Sequence, residues 1–86
     1  MAKARAVRQP DLVLISWSRN PLVPGSPRRI ITSRVIGSAQ PCTALLVPGR
    51  LLVNALRCLT RNRFFIVVSR STSSISGFIL LQRNPS

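Results

Sequence analysis

Acidic side chains are all but missing from this chain. Asp11 is the one carboxylate among 86 residues, and there is no Glu, no His and no Tyr. Without His, neither a Ser-His-Asp nor a Cys-His nucleophile can be assembled. One carboxylate cannot supply the acid/base pair of a glycosidase. A Ser-Lys pair would have to draw on Lys3, the single lysine, near the N-terminus. No Gly-rich dinucleotide fingerprint and no Walker sequence occurs. The expectation is a non-enzymatic protein with no cofactor and no small-molecule substrate. Cys42 and Cys58 are the only thiols, and two Cys without His cannot complete a four-ligand zinc site. Reduced, separately buried thiols are the default for such a pair. A disulfide closing the 15 residues between them is the alternative, at roughly 3 kcal/mol.

Long uncharged apolar runs are also missing. The nearest approach to a membrane span is residues 64–81, interrupted by Arg70 and a Ser/Thr cluster. An Arg at a span's centre costs about 2.5–3.5 kcal/mol, while each strongly apolar residue returns only about 0.3–0.6. Attachment to a membrane surface is easier for such a chain than crossing one.

What is present is positive charge. Thirteen cations, twelve of them Arg, give a formal net charge of +12. A folded chain so charged repels itself and lacks internal partners for its cations. An anionic partner follows, and phosphate is its simplest form, in RNA, DNA or lipid. A duller cause competes. Arg, Leu and Ser supply 34 of the 86 residues, and each has six codons. A nucleotide skew in a weakly selected or non-functional reading frame, one with no defined activity, would produce the same bias.

Residues 49–61 are the one stretch where pattern and charge agree. Leu52, Ala55, Leu56 and Leu59 share one side at helical spacing; Arg50, Asn54, Arg57 and Arg61 share the other. This predicts an amphipathic helix with Gly49 as its N-cap and a basic outer face. At this length an isolated helix is marginal. Arg57 and Arg61 repel at i,i+4 by about 0.2–0.5 kcal/mol. The helix therefore depends on burying its Leu stripe, most simply in the chain's own core.

Elsewhere β-branched and apolar runs predict short antiparallel strands at about 12–17, 28–36, 64–69 and 75–82, the last two forming a hairpin across a loop of four or five residues. Residues 1–11 read as a flexible basic arm, 18–27 as a Pro-rich linker or turn, and 83–86 as a frayed tail. The expected fold class is small α+β within 1–86, one small domain at most, with room for substantial disorder.

Three groups of residues could meet an anion. Ser26-Pro27-Arg28-Arg29 resembles Ser-Pro-basic-basic sequences that lie in a DNA minor groove. Arg50, Arg57, Arg61 and Arg63 follow the helix. Arg70 precedes Ser71 to Ser74 as a basic-directed phosphorylation sequence would. Aromatic residues do not alternate with these cations as a base-stacking platform requires. Backbone contact is the expected mode, through Arg28, Arg29, Arg50, Arg57, Arg61 and Arg63. RNA, in a peripheral position of a ribonucleoprotein, is the leading partner; an anionic membrane surface is the alternative. The basic, acid-free first nine residues are compatible with an organellar address, and an intracellular location is favoured.

Overall fold

Residues 9–84 are described by a computed structural model of the protein. The chain forms β1 (Asp11–Ser18), β2 (Arg29–Ile36), a 3-10 turn (Thr43–Leu45), helix α1 (Leu52–Arg61), β3 (Phe65–Ser73) and β4 (Ser76–Arg83). The strands make one antiparallel sheet in the order β2-β1-β4-β3. Two hairpins thus lie side by side, and α1 lies in the connection between them. A four-stranded antiparallel sheet with one helix is a small α+β fold, as expected.

Burial alternates along the two central strands. In β1, Val13, Ile15 and Trp17 are buried; in β4, Gly77, Ile79 and Leu81 are. Register places these residues opposite one another, Val13 with Leu81, Ile15 with Ile79 and Trp17 with Gly77. Residues paired across a ladder share a face, so one face of the sheet is fully apolar at its centre. Leu52, Ala55 and Leu59 of α1 pack into the same core cluster, with Phe64, Ile30, Leu46 and Cys42 around them. The Leu stripe is therefore core. At about 1.5–3 kcal/mol per fully buried Leu, this burial supplies what the helix's local sequence lacks. Gly77 makes room for Trp17: a Cβ at Gly77 would run into the Arg70 carbonyl and the indole ring.

The opposite face of the sheet carries no layer among the described residues. Leu14 lies between Arg34 of β2 and Leu80 of β4, and Phe78 lies beside Arg70 of β3. Leu14, Ile36 and Phe65 are exposed there.

Several boundaries differ from the sequence expectation. The helix begins at Leu52, not Gly49, and its N-cap is Leu51 without a side-chain cap. The backbone before it is engaged elsewhere. Gly49 N–H donates to the Ile30 carbonyl (2.8 Å), Ile30 N–H to Arg50 (2.9 Å) and Leu52 N–H to Arg28 (2.9 Å). Gly49, at φ +91°, turns the chain into that pairing. The second hairpin is also tighter. Ser71 to Ser73 extend β3, and only Ser74 and Ile75 make the turn. Thr72 and Ser73 hydroxyls bond the Ser76 hydroxyl at 3.0 and 2.9 Å, so the polar cluster holds the strand end in place of opening a loop.

The expected arm at 1–11 falls mostly outside the described residues, but Asp11 opens β1. Likewise Arg83, expected in a frayed tail, closes β4. Of the linker expected at 18–27, Ser18 closes β1 and the rest leads toward β2 through a series of turns. Cys42 and Cys58 are joined as a disulfide, against the default of separate thiols. The turn before α1 brings Cys42 against the helix, where both residues join or adjoin the core.

Candidate anionic-partner interface

The six arginines singled out by sequence fall into two groups and one outlier. Arg28, Arg29 and Arg50 are gathered at the start of α1 by the main-chain pairing of residues 28–30 with 49–52. The three are exposed. Arg29 is further held by donating from Nη1 to the Gly49 carbonyl (3.0 Å). The Arg28 guanidinium lies over the Trp17 ring, 5.2 Å from its centroid. Arg50 is therefore not on the helix face with Arg57 and Arg61; it belongs with Arg28 and Arg29.

Arg57 and Arg61 are exposed on α1 and, with Asn54, line a shallow hollow of about 330 Å³. Arg61 lies in the last turn, where the macrodipole favours a cation. Asn62 closes the helix, its Nδ2 donating to the Cys58 carbonyl (2.8 Å). Arg63 is exposed just beyond and takes φ +74°, in the left-handed region. It ends the helix as much as it offers charge.

The chain's one acid is engaged on the structural side. Arg83 and Asp11 form the one ion pair among the described residues, with Nε and Nη2 each 2.9 Å from Oδ2. Arg83 also donates to the carbonyls of Gln40 (3.0 Å), Ser38 (3.1 Å) and Asn62 (3.3 Å). Its guanidinium lies 4.5 Å from the Phe64 ring centroid. One side chain thereby ties β4 to the loop after β2 and to the end of α1. Sequence reasoning missed this residue. The available signal was arithmetic: a lone acid in so basic a chain must meet one arginine, but nothing local says which.

Arg19 was missed as well. Its guanidinium lies over the Trp17 ring at 5.8 Å, and its Nε is buried with no hydrogen-bond partner among the described residues. Beside it, the end of β1 and the connection to β2 enclose a hollow of about 540 Å³ lined by Ser18, Arg19, Asn20, Ser26 and Arg29, with Pro21, Val23 and Pro27 as its apolar wall. Ser26, Pro27 and Arg29 of the Ser-Pro-basic-basic sequence thus meet a cavity, while Arg28 stacks on Trp17.

Among the described residues no three His, Cys, Asp or Glu side chains cluster to hold a metal, and no helix is long and apolar enough to cross a membrane. Residues 64–81 form most of the second hairpin, not a helical segment. No protein-family model matches this chain, and neither the curated proteins nor the solved structures include a match.

Proposed function

We propose that this is a small non-enzymatic basic protein that binds RNA through the phosphate backbone, as a peripheral component of a ribonucleoprotein. The observation that carries the reading is the use of the chain's single carboxylate. Asp11 is paired with Arg83, so Arg28, Arg29, Arg50, Arg57, Arg61 and Arg63 stand exposed in a chain with no other acidic side chain to offer them. Arginine forks match phosphate oxygens in pairs. Cations spread from the start of α1 to its end suit contacts with successive phosphates, which position a strand without reading its sequence.

Fluorescence anisotropy of the full chain with a labelled single-stranded RNA, repeated across salt concentrations, tests this. If the six arginines neutralise phosphates, the logarithm of the binding constant falls with the logarithm of salt at a slope of about −4, near 0.7 per phosphate. Affinity that does not weaken as salt rises refutes the proposal.

A second reading is attachment to an anionic membrane surface. It is favoured by the apolar face of the sheet that no described residue layers over, where Leu14, Leu80 and Phe78 lie between Arg34 and Arg70. It requires partition onto anionic vesicles with that face, not the α1 side, protected from exchange.

A further inference from the structure

We infer that the face of the sheet turned away from α1 docks an amphipathic helix of a partner protein, one whose apolar stripe is flanked by Glu or Asp on both sides. Strand register builds the surface in rows. Arg34, Leu14, Leu80 and Val68 stand in one row across β2, β1, β4 and β3; Thr32, Ser16, Phe78 and Arg70 stand in the next. Paired residues share a face, so the two arginines occupy opposite edges of it. Leu12, Ile36 and Phe65 continue the apolar strip beyond Leu14. There the strip dips into a hollow of about 330 Å³ with Leu12, Leu14 and Arg34 in its wall. No described residue layers over this face, and Leu14, Ile36 and Phe65 are exposed on it. A contiguous apolar patch with a polar rim marks an interaction surface.

Charge and width identify the occupant. The chain has one acidic side chain, Asp11, and it is held by Arg83 and the Ser38 N–H, so acids facing Arg34 and Arg70 come from another molecule. A second copy brings a charge of +12 against +12, and the chain's own residues 1–8 carry Lys3, Arg5 and Arg8; both set like charge against the two arginines. An anionic lipid surface has three exposed cations to meet at α1 and its end, Arg57, Arg61 and Arg63. At about 1 kcal/mol per cation it is drawn to that side of the sheet more than to this one. The width fits a helix. Three strand spacings of about 4.8 Å separate β2 from β3, so the arginines bound a strip about 14 Å wide. A helix with its side chains is about 10–12 Å across, and acids on either side of an apolar stripe about 100° wide reach both edges. Such a stripe laid in an apolar groove is a recurring mode of peptide recognition. The eight residues of β1 run about 26 Å, room for about five helical turns. The surface lies across the sheet from α1, so the partner leaves the α1 arginines open, and the inference does not depend on the RNA reading.

The test is a titration of the full chain with a helical peptide of about 18 residues, with Leu along one face, Glu on both flanks and Ala and Gln elsewhere. NMR of methyl and arginine Nε–H groups follows it. The methyls of Leu14, Leu80 and Val68 and the Nε–H signals of Arg34 and Arg70 are expected to move, while the methyls of buried Leu59 stay. The same peptide with Lys in place of Glu should bind about tenfold more weakly. Overall charge favours any acidic peptide, so the deciding comparison is between two variants of equal net charge. Arg34→Glu with Arg70→Glu should reverse the preference between the two peptides; Arg57→Glu with Arg61→Glu should leave it in place. Retained amide dispersion is the check on folding. Leu14→Ser, with no change of charge, should also weaken the acidic peptide. Shifts confined to α1, or equal weakening by the two charge variants, overturn the docking surface. Protection of the same methyls by phosphatidylglycerol vesicles and not by the peptide overturns it in favour of lipid. Broadening of those methyls with protein concentration alone overturns it in favour of a second copy. RNA binding with no movement on this face overturns the surface while the RNA reading stands; peptide docking without RNA binding does the reverse.

Discussion

Replacing Arg83 with Leu should cost more than any other single arginine substitution in this protein. The change removes one partner of Asp11, whose Oδ1 still accepts from the Ser38 N–H (3.0 Å), together with three hydrogen bonds to main-chain carbonyls and the contact with Phe64. Breaking a fully buried charge pair from one side costs about 3–5 kcal/mol, because the other charge is left unpaired. Here the Arg83 and Asp11 side chains are 19% and 27% exposed and Asp11 keeps the Ser38 N–H, so water and that donor recover part of the cost. The expected loss is about 2–3 kcal/mol. A domain of this size has only about 4–13 kcal/mol in total, at roughly 0.05–0.15 per residue. Urea unfolding of the full chain, followed by tryptophan fluorescence, reads the loss as a lower midpoint with little change in slope. Arg57→Leu on the exposed helix face is the comparison, expected within about 0.5 kcal/mol of the native chain. Combining Arg83→Leu with Asp11→Asn should give a coupling of about 1 kcal/mol or more. An Arg83→Leu loss no larger than that of Arg57→Leu would refute the claim that Arg83 joins β4, the loop and the helix.

Reducing the Cys42–Cys58 bond should lower stability by roughly 3 kcal/mol by chain-entropy arithmetic for a loop of this length. The check is a urea midpoint with and without reductant, together with thiol titration that finds reactive groups only after reduction. Such a bond persists in an oxidising compartment, so a reducing cytosol would hold the weaker form. Leu59→Ala, at a fully buried helix position, should cost about 2–5 kcal/mol, whereas Val53→Ala on the exposed side should cost little. Gly77→Ala should destabilise by about 1–3 kcal/mol, because the new methyl meets the Arg70 carbonyl and the Trp17 ring. Loss of the native tryptophan fluorescence maximum at lower urea than in the native chain would register it; an unchanged midpoint would mean the strands separate without cost.

Much of the architecture is legible residue by residue. The apolar, β-branched runs at 12–17 and 75–82 announce two strands, and the structure centres its sheet on them; which face of each is buried is not legible in runs apolar on both sides. The spacing of Leu52, Ala55 and Leu59 announces a helix that must be buried on one side, and it is. These signals survive without context because the side-chain periods of strand and helix are properties of the backbone itself. Boundaries are less legible. The helix start moved from Gly49 to Leu52 because residues 49–52 found partners in residues 28–30, and a local pattern carries no record of a distant partner.

The interface divides the same way. Composition by itself determined that exposed cations would go without internal acids, since one carboxylate cannot serve thirteen. Only tertiary structure decided which arginine takes that carboxylate, and it chose Arg83, where strand register and the loop after β2 converge. It also decided that Arg50 joins Arg28 and Arg29 in place of Arg57, and that Arg19 comes to line a hollow with Arg29. It brought Cys42 to Cys58 and set Phe78 beside Arg70. Each of these is a contact between residues far apart along the chain. Such contacts are set by how the two hairpins and the helix pack together, which depends on the whole core and not on the spacing of any one segment.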